Sequence, residues 1–160
     1  SAGGHVAAAT GMCDGLDDSA EKDSGISSKA NALLLFNPVY DNGPTGYGHA
    51  RTKKWFPAIS PAHNVSRDDP PTIVFLGSKD SLIPVATAKK FDEDLKSVGV
   101  KSEIWIYDGQ PHGFFNEGKN PKAFLDTVRK MDAFLTSQRW LEGDVDEESL
   151  TSLLKNPIKK

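Results

Sequence analysis

The sequence predicts an α/β fold in which parallel strands alternate with helices packed on both faces of the sheet. Three observations carry this reading. Short strand-like runs at 32–36, 72–76 and 103–107 each end in a Pro, Gly, Asn or Asp breaker. A segment with helical spacing separates the second run from the third, and another follows the third. Connections this long are crossovers, which join parallel strands.

The 160 residues carry 19 Lys+Arg against 22 Asp+Glu, a formal net charge of −3. That balance supplies no basic stripe to neutralise phosphates, so nucleic acid is not an expected partner. The single cysteine, Cys13, excludes an internal disulfide framework. No apolar run approaches the roughly 20 residues that span a bilayer, so no membrane span is expected. Residues 1–140 read as the body of the fold and 141–160 as a C-terminal tail.

Element by element, Gly4–Met12 is alanine-rich helix material. A polar loop follows to Ser28, in which Asp14, Asp17, Asp18, Glu21 and Asp23 lack calcium-loop spacing and read as a solvated acidic stretch. Ala32–Phe36 is a continuous apolar run stopped by Asn37-Pro38, the pattern of a strand buried on both faces. Residues 41–70, rich in Gly and Pro, read as irregular. They contain His49, His63 and the sequon Asn64-Val65-Ser66, a potential glycan acceptor. Thr72–Leu76 is a second buried strand, ended by Gly77-Ser78-Lys79-Asp80. A helix starts near Pro84, with Val85, Ala88, Phe91, Leu95 and Val98 on one face and Gly99 as its cap. Glu103–Tyr107 is the third strand, and the last long helix is expected over 121–140. In the tail, Leu150, Leu153 and Leu154 form a short patch suited to a frayed helix.

In open sheets of this kind, reactive groups sit on loops beyond the carboxyl ends of the strands. Asp80 follows the second strand and His112 follows the third, while Ser1 opens the first helix. The chemistry needs each residue type. A serine hydroxyl becomes a competent nucleophile when an imidazole takes its proton, and a carboxylate fixes the tautomer and stabilises the charged form of that imidazole. The chain order Ser, Asp, His distinguishes one serine-triad fold from the others.

Ser1-Ala2-Gly3-Gly4-His5 resembles the second half of the G-x-S-x-G nucleophile elbow of α/β-hydrolases. Gly77–Pro84 resembles that family's acid loop, and Pro111-His112-Gly113-Phe114-Phe115-Asn116 resembles the histidine loop of its lipase/esterase branches. Ser60-Pro61 through Pro71 is similar to the approach to the acid strand in that group. The resemblance spans nearly the whole chain to about Trp140. It implies the C-terminal part of an α/β-hydrolase fold, with the elbow's leading Gly-x and the earlier strands outside this chain. It also implies a serine hydrolase cleaving carboxylic esters, with Ser1 as nucleophile, His112 as base and Asp80 as its orienting acid. Ala2 would supply one oxyanion N–H and Gly3 the elbow's last glycine, while the second oxyanion donor would come from an earlier loop. The chain alone is expected to be inactive.

His5, Trp55, Phe56 and Phe114 are candidate pocket residues, each with an equally good reading as packing. Four histidines without C-x-x-C or H-E-x-x-H give no metal signature, and the chemistry requires no cofactor. Expected partners are small-molecule or carbohydrate-linked esters, such as acetyl or feruloyl esters. A second copy of the chain, pairing through the exposed edge of strand 32–36, is a further one. Two other readings stay open: a serine peptidase of the prolyl-oligopeptidase type, which shares the triad order, and a non-enzymatic interaction module on a hydrolase fold.

Overall fold

The computed structural model describes residues 1–16 and 25–155, with side chains through residue 152. Asp17, Asp18, Glu21 and Asp23, and the side chains of Leu153 and Leu154, lie outside the described residues; Asp14 is exposed. The elements are α1 (Ala2–Met12), β1 (Leu33–Phe36), α2 (His49–Thr52), a 3-10 turn (Pro61–His63), β2 (Thr72–Gly77), α3 (Val85–Ser97), β3 (Ser102–Tyr107), α4 (Pro121–Ser137) and α5 (Glu147–Lys155). They fall into two compact units, Ser1–His112 and Gly113–Lys160.

The sheet belongs to the first unit and has the order β1-β2-β3. Both pairings are parallel, with Leu33 opposite Thr72 and Thr72 opposite Ser102. All six residues of β2 are buried, as its continuous apolar run requires of a central strand. In β1 burial alternates: Leu33 and Leu35 are enclosed, whereas Leu34 and Phe36 are only partly covered. The expectation of a strand buried on both faces is therefore corrected for β1, which is paired on one side only within this sheet. Trp105 of β3, the other outer strand, is 41% exposed.

Small residues let α1 lie close to β1. Ala8 is fully buried, and a Cβ on Gly11 would meet Pro70 Cγ at 3.0 Å and Leu33 Cδ1 at 3.3 Å. Cys13, just past the helix, is buried, and burial with the nearby Asp69 and Asp14 carboxylates pushes its thiol pKa up to about 11. On α3 the spacing read from sequence holds at Ala88, Phe91 and Leu95, which are buried, whereas Val98 lies just past the helix and is 37% exposed. Phe91 stacks on Tyr40 with ring centroids 4.4 Å apart. Gly99, at φ 87°, closes the helix: its N–H donates to Lys96 O, and the Val100 N–H donates to Leu95 O.

In the second unit, α4 opens on Asn120, whose Oδ1 accepts from Ala123 N at 3.0 Å, with Pro121 in the first turn. The helix ends at Ser137 rather than near 140, because Arg139 takes the left-handed conformation (φ 61°) usually given to glycine. No glycine marks that position, so the sequence pattern overran it. Helix α5 is capped by Asp146, which accepts from Ser149 N, and is held by the paired Arg129–Glu147 hydrogen bonds of 2.7 and 2.6 Å. Two short turns of helix, α2 and the 3-10 turn, interrupt the segment read as irregular. Its sequon is not free: Asn64 Nδ2 donates to both Pro57 O (2.9 Å) and Ser60 O (2.8 Å), so a glycan there would replace one of the two donating hydrogens. No described helix is long and apolar enough to cross a membrane.

One polar contact ties α3 to β3. Ser102 Oγ donates to Asp92 Oδ1 at 2.7 Å, while Lys96 Nζ donates to Oδ2 at 2.7 Å, and both Ser102 and Asp92 are buried. Replacing Ser102 by Ala leaves a buried carboxylate oxygen without that donor. The expected cost is about 1–3 kcal/mol, read as a lower urea midpoint with an unchanged slope.

Candidate active site

The acid and histidine loops leave the carboxyl ends of neighbouring strands β2 and β3, so the register of that pair decides how the loops meet. They are stitched together by backbone. Ser78 N donates to Tyr107 O (2.9 Å) and Lys79 N donates to Gln110 O (3.0 Å). The Ser78 hydroxyl donates to Asp108 Oδ1 (3.1 Å) and accepts from Gly109 N (2.8 Å). Gly77 makes this approach possible: a Cβ there would lie 2.1 Å from Gln110 O and 2.7 Å from its carbonyl carbon.

The result is a direct pair. His112 Nδ1 donates to Asp80 Oδ2 at 2.7 Å. Asp80 Oδ1 accepts from the backbone N–H groups of Leu82 (2.8 Å) and Ile83 (3.0 Å), so both oxygens are engaged. The Asp80 side chain is fully buried and that of His112 is 25% exposed. A carboxylate held this way can aim an imidazole and stabilise its positive charge. The other ring nitrogen, Nε2, accepts from Asn37 Nδ2 at 3.3 Å. These partners suit a ring with its proton on Nδ1 and its lone pair on Nε2, the arrangement a general base requires.

Ser1 stands at the N-cap of α1, exposed, and its hydroxyl makes no capping hydrogen bond. Its carbonyl accepts from His5 N (3.0 Å) and from Val39 N (3.2 Å), which docks the start of α1 on the turn after β1. The structure brings Asp80 and His112 into contact; the Ser1 hydroxyl is not hydrogen-bonded to His112.

Ala2 and Gly3 occupy the exposed first turn of α1. Nothing lies within 4 Å of a Cβ built on Gly3, whereas one on Gly4 would sit 2.8 Å from Pro38 Cβ. In the first turn of α1, the glycine that a close contact requires is thus Gly4. His5 is tied through Nε2 to Ile59 O at 2.7 Å and fastens α1 to the segment before the 3-10 turn. Trp55 is 56% exposed, and Phe56 packs edge-on against His49 and His63. Phe114, in the second unit, is buried edge-on to Phe115. Two clefts of ≈ 230 and ≈ 270 Å³ flank Asp41, the first bounded by Val39, Tyr47, Leu82 and Ile83, the second by His63, Lys90 and Phe91. None of His5, Trp55, Phe56 or Phe114 lines either cleft.

A second Ser/His/Asp cluster has the residue types of a triad without its geometry. Ser60 Oγ and His63 Nδ1 are 2.9 Å apart, and Asp41 Oδ1 approaches the same nitrogen at 3.9 Å. A relay needs the carboxylate and the hydroxyl on opposite nitrogens. Ser60 is also fully buried, and its hydroxyl accepts from Asn42 N, so the cluster braces the turn.

A model of the dienelactone hydrolase family matches residues 27–142. The chain belongs to that family. Its dienelactone hydrolase fold, a member of the α/β-hydrolase superfamily, is shared by solved structures of an esterase from Thermogutta terrifontis. The butyrate-bound form is 35% identical and covers 91% of this chain and 56% of that one, with a TM-score of 0.77. The form phosphorylated by paraoxon is 36% identical, covers 89% of this chain and 53% of that one, and has a TM-score of 0.76. A probable isoprenylcysteine alpha-carbonyl methylesterase from Arabidopsis thaliana is 28% identical over 136 residues, which is 70% of this chain and 28% of that protein. Over a shorter stretch of 67 residues, 42% of this chain and 9% of that protein, the acylamino-acid-releasing enzyme 1 of Oryza sativa subsp. japonica is also 28% identical. The chain therefore spans about half of the esterase's length and less of the plant proteins'.

The sequence reading missed Gly77, Ser78 and Asn37 as site residues. Gly77 and Ser78 were visible as strand punctuation and as part of the acid-loop resemblance, with no role of their own, and Asn37 as the breaker that ends β1. The Gly77→Ala variant is expected to push the acid and histidine loops apart. Overpacking of this kind costs about 1–3 kcal/mol, and loss of the downfield proton signal of the Asp80–His112 hydrogen bond would report the separation.

Proposed function

We propose that this dienelactone hydrolase relative carries the Ser-His-Asp residues of a carboxylic ester hydrolase. The observation that supports this reading best is the buried, doubly anchored Asp80 carboxylate at 2.7 Å from His112 Nδ1. In this mechanism His112 Nε2 takes the proton of the Ser1 hydroxyl as Oγ bonds to the ester carbonyl carbon. The carbonyl oxygen becomes an oxyanion held by the Ala2 N–H. Collapse of this intermediate breaks the bond to the alcohol oxygen, which takes the proton from His112, and leaves Ser1 acylated. Water, deprotonated by the same nitrogen, then attacks the acyl group and releases the carboxylic acid and free Ser1. Asp80 keeps its own charge throughout and stabilises the imidazolium. No metal or organic cofactor enters these steps.

Short acyl esters fit this reading, in line with the butyrate and propionate bound to the Thermogutta terrifontis esterase. A peptidase reading is favoured by one observation, the similarity to the acylamino-acid-releasing enzyme. The two are separated by rates on p-nitrophenyl acetate and on a proline anilide, measured on the full-length protein that contains this chain. Turnover of the acetate is expected; turnover of the anilide alone overturns the esterase reading.

In that protein, Ser1→Ala and His112→Gln are each expected to lower kcat by roughly three orders of magnitude or more. Diisopropyl fluorophosphate should add to Ser1 in the wild type, as mass spectrometry of the labelled peptide would show. Absence of the adduct would favour an interaction module on the same fold.

A further inference from the structure

We infer that Asn37 is a positioning residue for the general base, an inference that rests on His112 holding that role. Asn37 immediately follows β1 and continues its ladder, its N–H donating to Phe75 O at 2.8 Å. It then takes a left-handed conformation, φ 35°, that side-chain-bearing residues seldom adopt. Asparagine is among the few that tolerate this conformation. The turn buries Asn37 to 1% exposure and brings its amide to His112 Nε2. Strain of this kind persists where the surroundings over-determine it, and it gathers at functional sites.

The two polar neighbours of the imidazole play different parts. Asp80 binds Nδ1 tightly at 2.7 Å and can only accept, so Nδ1 keeps its proton. Asn37 meets Nε2 at 3.3 Å, a long contact that a serine hydroxyl can displace. While its Nδ2 donates, Nε2 is held as the lone-pair nitrogen. Once Nε2 has taken the nucleophile's proton it becomes a donor, and the same amide, turned about its terminal torsion, presents Oδ1 to accept. An amide has both polarities; a carboxylate at this place would favour only the charged ring, and an aliphatic side chain neither form. The residue type thus suits a base that must change protonation state within each turnover. The ionisable groups on the adjoining loops are Asp80 and Lys79 on the acid loop and Asp108 on the histidine loop.

The test uses Asn37→Gly and Asn37→Asp in the full-length protein. Glycine accepts the left-handed backbone and removes the amide alone; aspartate keeps the shape and removes the donor. With ¹⁵N-labelled histidine, the wild-type Nε2 signal at neutral pH should be that of a hydrogen-bonded, unprotonated nitrogen. In Asn37→Gly it should move to the position of a free one, and kcat should fall by about 10- to 100-fold with KM little changed. In Asn37→Asp the His112 midpoint should rise by about one unit or more, carrying the acid limb of kcat/KM to higher pH. An Nε2 signal and kcat unchanged in the glycine variant, or an unmoved midpoint in the aspartate variant, overturns the inference. If His112→Gln itself retains activity, the failure belongs to the catalytic reading instead.

Discussion

The close passage of the Gln110 carbonyl over Gly77 is the constraint from which the site's geometry follows. Strands β2 and β3 run parallel with Gly77 opposite Tyr107, so the loops that leave them start side by side. Parallel neighbours diverge once pairing stops unless something holds them. Here a missing side chain at 77 and the four hydrogen bonds of Ser78 and Lys79 extend the contact beyond the last strand pair. Asp80 then turns inward, anchored by two backbone donors, and His112 arrives at hydrogen-bonding distance with one nitrogen already committed. The side-chain chemistry is therefore an outcome of backbone approach.

The start of α1 is brought to the same end of the sheet by an equivalent device on the other side of β2. Its backbone contact is the Val39 N–H to the Ser1 carbonyl, and its tolerance for close approach comes from Gly4 over Pro38. Between these two dockings lies Asn37, the one described residue of the first unit that combines a side chain, near-complete burial and positive φ. The start of α1 and the loops after β1, β2 and β3 thus converge through glycine contacts and a single strained asparagine.

Much of this was readable from residues alone, and the exceptions share a cause. The three strands, their parallel sense and the face of α3 follow from run length and spacing, which are local properties of the chain. Asp80 and His112 were found because strand ends are where such groups gather. What stayed hidden depends on contacts between segments far apart in sequence. Gly77 looks like an ordinary strand stop until Gln110 lies above it, and Asn37 like an ordinary breaker until His112 reaches it. The end of α4 was misplaced because Arg139 takes a conformation that composition assigns to glycine. Aromatic type alone says nothing of direction: Trp55, Phe56 and Phe114 do not line the two clefts at Asp41, whereas Tyr47 lines one of them.

Cys13 carries a consequence of a different kind. It is the chain's sole sulfhydryl, it is buried, and its environment favours the protonated form. Thiolates, not thiols, enter disulfide exchange and react with peroxides. The folded chain therefore keeps its one thiol in the less reactive, protonated form. The hydroxyl chemistry proposed for Ser1 is in that sense decoupled from redox poise, a separation that a cysteine nucleophile on the same elbow would not have.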